Sequence, residues 1–168
     1  MSSQYGLGYL WRWALTCVGL IAVAAVLAVI TRAGERSTEL SRRLECQARL
    51  KHLGTVFEIY RSENPQWWPQ SSEEAVQSLL DAGLVTEDTS RCPNGGQYLF
   101  LIPPTRPEAQ AVTDSRVVWI YEPVSNHGGE GGNLLFMDGH GDFMRVPGYH
   151  AVLSESRRRL GLDPSPPE

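Results

Sequence analysis

Cysteine is scarce in this chain: 168 residues hold three, Cys17, Cys46 and Cys92. None belongs to a Cys-x-x-Cys step, so spacing alone does not mark them as a metal site. A basic surplus is also missing. Lys and Arg number 15 against 19 Asp and Glu, a net charge of −4, which removes the first sign of nucleic-acid binding. There is no Gly-x-Ser-x-Gly elbow, no His-Glu-x-x-His and no glycine–lysine phosphate loop. The glycines of 128–132 are followed by Asn133-Leu134 rather than Lys-Ser or Lys-Thr. They precede a strand pattern, not a helix that could cradle phosphate. No repeat is visible. These gaps argue against an enzyme and call for no cofactor.

A further absence is informative in itself: residues 13–30 carry no charge at all. This run of eighteen, rich in Ala, Val, Leu and Ile, would form a helix of about 27 Å, close to the hydrocarbon thickness of a bilayer. Trp11 and Trp13 stand at its entrance, where indole rings favour the interface. A cleaved signal peptide would need a small-x-small step before Thr31-Arg32, and none is convincing. Cys17 stands near the start of the run, which is the wrong place for a lipidated residue. Its all-round apolarity also sets it apart from a core helix. The run reads as a retained single-pass anchor in the lipid bilayer, with 1–12 as a short flank. Cys17 is then simply a small apolar residue within it.

The pattern stays helical beyond the anchor, over 31–62. Leu40, Leu44, Leu50, Leu53, Phe57 and Tyr60 form a three-and-four stripe opposite Arg42, Arg43, Arg49, Lys51, Glu58 and Arg61. Gly34 is a weak point where the two halves could hinge. Asn64-Pro65 ends the helix. A domain over 63–150 follows, and its first element is a helix from Ser71 to Leu84. Ser71 and Glu74 have capping-box spacing there, Ala75, Val76, Leu79 and Leu80 make the apolar face, and Gly83 suits the C-terminal cap. Residues 97–102 and 116–121 are strand-like, separated by the proline-rich 103–107. Leu134 to Met137 and Phe143 to Val146 flank Asp138-Gly139, a hairpin signal expected to adopt a type I′ turn. The fold class is therefore α+β: a long N-terminal helix packed on a small antiparallel sheet of about four strands. Residues 151–168 read as a short helix carrying Arg157, Arg158 and Arg159, then a proline-rich tail without regular structure.

Residues 126–143, NHGGEGGNLLFMDGHGDF, resemble the C-terminal signature of bacterial pseudopilin-like proteins, a His, nine residues and Asp-Gly. Here His127 and the Asp138-Gly139 step enclose ten residues, and 128–132 is the natural place for the extra one. The resemblance extends through Cys46-Gln47-Ala48-Arg49-Leu50-Lys51-His52-Leu53-Gly54, Tyr60, Asn64, Trp68-Pro69, Arg91-Cys92-Pro93, and Val118 to Pro123. These short matches keep the family's order over roughly 44–143. The chain departs from the family where the membrane-embedded Glu belongs, because residues 13–30 contain none. The Gly6-Leu7 and Gly8-Tyr9 steps are poor substitutes for a prepilin leader.

The resemblance implies a pilin-like fold, a structural role in a type II secretion or type IV pilus-like system, and partners among other pseudopilin or secretion subunits. The amphipathic half of the long helix and the glycine loop are the surfaces expected to meet them. It also implies a bacterial inner-membrane protein with an exported C-terminal domain. The distribution of Arg points the other way, with Arg12 before the anchor and Arg32, Arg36, Arg42 and Arg43 after it; the family's topology is preferred. An oxidising compartment would allow Cys46 and Cys92 to pair, and two separate thiols is the alternative. A tethered binding module outside any filament is the competing function. An exported metal enzyme using His127, Asp138, His140 and Asp142, with His150 nearby, is a distant third. Alternate spacing could set Asp138, His140 and Asp142 on one side of a strand. The bland reading is a turn aspartate beside a solvated strand face.

Overall fold

A computed structural model describes residues 5–106 and 114–165. The leader-like Gly6-Leu7 and Gly8-Tyr9 steps lie in helix, with nothing described of their side chains, and Pro107 and residues 166–168 of the tail lie outside the described residues. The chain divides into two compact units, Met1–Ser41 and Arg42–Glu168.

The first unit holds most of α1, a helix over Tyr5–Glu63 that continues through Gly34. The segment beginning at Leu15 is long and apolar enough to cross a membrane. Val18, Leu20, Ile21, Val29 and Ile30 are all more than half exposed, which suits a helix whose solvent is lipid rather than a protein core. Its hydroxyls are satisfied internally, Thr16 donating to Trp13 O (2.8 Å) and Thr31 to Ala28 O (3.1 Å). That removes the penalty of an unpaired polar group in hydrocarbon.

The second unit is built on a four-stranded antiparallel meander, β1 (Leu99–Phe100), β2 (Val118–Tyr121), β3 (Gly131–Phe136) and β4 (Gly141–Arg145), in that spatial order. Residues 42–63 of α1 belong to this unit. Cys46, Leu50, Leu53, Val56 and Phe57 are buried in one core cluster with Trp119, Ile120 and Leu135 of the sheet. Leu40 and Leu44, expected in the apolar stripe, are both 59 % exposed. Phe57 is the centre of an aromatic group, with Phe100 at 5.0 Å, Trp67 at 5.4 Å and Trp119 at 5.5 Å between centroids. Such pairs add about 0.5–1.5 kcal/mol each beyond area burial.

α2 (Ser72–Asp81) is set by its ends. Ser71 Oγ accepts from Glu74 N, while Glu74 Oε2 accepts from Gln70 N at 2.7 Å. At the other end Gly83 N donates to Leu80 O and Leu84 N to Leu79 O, the paired bonds of a Schellman cap. Ala75 and Leu79 are its buried face.

The opposite side of the sheet is covered by α3 (Gly148–Arg159), which begins before the expected Ala151. Tyr149 and Leu153 are buried against Val118, Tyr121, Leu134 and Phe136. Ser156 Oγ accepts from Val118 N (3.0 Å) and donates to Val152 O. The segment expected as a short appendage before a tail is thus the second wall of the sheet.

Two local details depart from the sequence reading. The Asp138-Gly139 hairpin is not a two-residue type I′ turn. Gly139 N donates to Phe136 O and Phe136 N to His140 O, both at 2.9 Å, and among the described residues no non-glycine residue has positive φ. Met137, Asp138 and Gly139 therefore form a three-residue connection in which Gly139 alone (φ 86°) takes the left-handed conformation. Second, β2 holds one extra residue against β3: Val118 pairs with Phe136, but Ile120 pairs with Leu135. This bulge puts Trp119 and Ile120 in the same cluster, on the α1 side, and leaves Val118 and Tyr121 on the α3 side.

Burial pushes the Tyr98, Tyr121 and Tyr149 hydroxyls upward, Tyr121 to about 12. The raised values mean that these side chains favour the fold fully below the unfolded value of about 10, and that this contribution is lost as pH rises through the folded values. A tyrosinate absorbance titration is expected to show three silent tyrosines near pH 10, ionising only as the domain opens. Six tyrosines ionising together near pH 10 would contradict this packing.

Candidate functional site

The bulge decides where Glu122 goes. Without it, strict alternation would put Glu122 on the α3 side with Val118; with it, Tyr121 takes the α3 side and Glu122, next in line, the α1 side. There the side chain is fully buried. A buried carboxyl group needs donors, and it has them. Glu122 Oε2 accepts from Asn133 Nδ2 at 2.7 Å and lies 3.1 Å from His127 Nε2, while Oε1 accepts from Asn126 Nδ2 at 3.2 Å.

His127 ends a 3₁₀ turn over Val124–His127 that Gly128 closes with φ 63°. Its side chain is also buried. Asn94 Nδ2 donates to Asn126 O (2.7 Å) and stands 3.3 Å from His127 Nδ1. A carbonyl can only accept, so the Asn94 nitrogen is the amide donor and His127 Nδ1 is the acceptor. Nε2 is then the nitrogen whose hydrogen Glu122 takes. Phe143 lies edge-on to the imidazole at 5.7 Å, with the Arg43 guanidinium 4.3 Å over the phenyl ring. Arg43 also pairs with Glu130 at 2.6 Å.

Cys46 and Cys92 are joined as a disulfide beside this group, with Cα atoms 5.2 Å apart across a separation of 46 residues. Tyr98 OH donates to Cys46 O (3.1 Å), and Asn94 N donates to Cys92 Sγ (3.4 Å). Donor atoms of Cys46, Cys92, Glu122 and His127 lie within 4.8 Å of one another, all four residues buried. The spacing argument had set the cysteines aside as ligands because neither sits in a short pair. Folding supplies the proximity instead, from three separate segments.

The other sequence candidates lie elsewhere. His127 lies in the turn before β3 and packs on Phe143, while Asp138 lies in the turn after β3. Asp138 and His140 pair with each other at the exposed turn, and His140 stacks on Phe136 at 4.1 Å. Desolvation opposes ionisation of Asp138, but hydrogen bonds from the His140 backbone and ring outweigh it and hold the carboxyl below its ordinary value. Asp142 is exposed on β4 and His150 lies on α3. The face expected to carry His127, Asp138 and His140 as ligands does not form among the described residues.

Sequence reading missed Glu122, Asn94, Asn126 and Asn133. The available signal was a lone acid closing the apolar run Val117 to Tyr121, where only a satisfied carboxyl can be buried. The glycine loop is also shorter than expected, because Gly131 and Gly132 are buried in β3. A Cβ on Gly132 would lie 2.3 Å from Glu122 O and 3.0 Å from Tyr149 Cε2. Gly132→Ala is therefore expected to cost about 1–3 kcal/mol through strand displacement, seen as a lower urea midpoint. A midpoint equal to wild type would refute the close approach. Comparison with known protein families, curated proteins and solved structures found no match.

Proposed function

We propose that the chain is a non-enzymatic, membrane-anchored, pseudopilin-like structural component of a type II secretion or type IV pilus-like system, with its C-terminal domain exported from a bacterial inner membrane. The observation that carries this reading is one helix doing two jobs. The N-terminal part of α1 is apolar and exposed, and residues 42–63 of the same helix form one wall of a small antiparallel domain. An ordinary tethered module has no need to build its core on its anchor helix. The disulfide supports the exported topology, since such bonds persist in oxidising compartments.

The surfaces for neighbours differ from those expected. The apolar stripe of residues 42–63 is consumed internally. Leu44 and Ile59 remain exposed on the helix, and the glycine loop keeps Gly128 and Gly129 open.

Topology and association test the proposal together. A reporter after Glu168 should be active only outside the cytoplasm, and crosslinking in native membranes should recover secretion or pilus subunits. An exported reporter with no such subunits would favour a tethered binding module. A cytoplasmic reporter would overturn both readings.

A further inference from the structure

We propose that Cys46, Cys92, Glu122 and His127 form a redox-gated site for a zinc-like divalent ion, loaded when the disulfide is reduced and emptied when it forms. The proposal does not depend on a secretion role.

A disulfide alone does not account for this neighbourhood. It is an apolar cross-link and needs neither a carboxyl nor an imidazole beside it, yet Glu122 and His127 are buried there at the cost of desolvation. Two sulfurs, one imidazole nitrogen and one carboxylate oxygen make the four-coordinate, mixed soft and hard set that suits zinc among divalent ions. Tetrahedral coordination places such donors about 3.3–3.8 Å apart, and the four atoms already lie within 4.8 Å of one another. The sulfurs must part and the widest pairs close by up to about 1 Å, both side-chain movements.

The surroundings are those of a held ligand set. Asn133 and Asn126 orient the Glu122 carboxyl, Asn94 Nδ2 stands 3.3 Å from His127 Nδ1, and the Asn94 backbone N donates to Cys92 Sγ. Outer partners of this kind fix ligand direction. Since all four residues are buried, no position is left open for substrate, and the site is structural rather than catalytic.

The chemistry balances. A dithiol reductant exchanges with the Cys46–Cys92 disulfide, leaving two thiols here and a disulfide on the reductant. The ion then binds both sulfurs as thiolates and releases two protons to water, while His127 ligates as a neutral imidazole. The reverse exchange with a disulfide oxidant passes two electrons to that disulfide, whose sulfurs leave as thiols after taking up two protons; both anionic sulfurs here are lost and the ion leaves.

The test uses the full chain in detergent, with cobalt(II) as the probe. The reduced protein should bind one ion per chain, with a thiolate-to-cobalt charge-transfer band and tetrahedral d–d absorption, and the oxidised protein none. Zinc should displace cobalt and raise the melting temperature of the reduced chain. Glu122→Gln and His127→Gln should each weaken cobalt binding tenfold or more, their folding being checked in the oxidised form by near-ultraviolet dichroism. X-ray absorption on reduced, zinc-loaded wild type needs no variant and should show two sulfur and two nitrogen or oxygen ligands. The proposal is overturned by absence of binding after reduction, by equal binding to oxidised protein, by a sulfur-only shell, or by no thermal gain from zinc.

Discussion

Replacing Cys46 and Cys92 together by alanine is expected to lower the unfolding free energy by about 4 kcal/mol under non-reducing conditions. The loop closed by the bond spans 46 residues, and releasing that constraint enlarges the unfolded ensemble by about this amount. For a domain of this size the melting temperature should fall on the order of 10–15 °C. Denaturant unfolding of the full chain in detergent measures it. Because both side chains are buried against Leu50 and Leu53, small cavities add to the loss rather than offset it. A change under about 1 kcal/mol would mean that the cross-link is not formed or not structural. Reduction of wild type should reproduce the loss, and zinc should recover part of it.

The second large effect is expected at the motif histidine. His127→Ala should destabilise the domain by about 2–4 kcal/mol, combining a buried cavity with a lost hydrogen bond to Glu122. The contrast with Asp138→Ala is diagnostic. Asp138 is held at an exposed turn by His140, where loss of the local bonds should cost about 1 kcal/mol or less. Glu122→Gln in the His127→Ala background should cost less than the sum of the two single changes, since neither can lose the same contact twice. Urea midpoints for the four proteins complete the cycle. Additivity would show that the two buried groups do not interact energetically, and equal losses at His127 and Asp138 would remove the distinction between them.

Features governed by local rules were legible in the sequence. The charge-free run of residues 13–30, the Ser71–Glu74 cap of α2, the stop at Asn64-Pro65 and the place of the Asp138-Gly139 hairpin all lie within a few residues of their cause. What depended on tertiary contacts was not. The stripe on α1 pointed to Leu40 and Leu44, but membership of the core is decided by how much of the helix the sheet covers, and burial of the apolar face reaches only to Cys46. The turn type hinged on whether the strands close at Met137 or at Phe136, which a pair of inter-strand hydrogen bonds decides. The buried cluster was hidden for the same reason. Its members come from α1, from the turn after Arg91 and from the segment after β2, and no window contains more than Glu122 and His127.

The extra residue in β2 gives that strand something like a reading frame. Substitutions around it act locally, but the inside-or-outside identity of each following side chain depends on whether the extra residue is bulged out or paired. Loss of Trp119 would restore regular pairing with β3 and leave each later residue on its present face, since Ile120 already pairs with Leu135 and Tyr121 with Leu134. A register slip that kept Trp119 and paired it with Leu135 would instead present Tyr121 toward the cysteines and Glu122 toward the apolar wall formed by Tyr149 and Leu153. Flattening the bulge would exchange the chemistry of the two faces with composition untouched, so at β2 the pairing register carries information that residue identity does not.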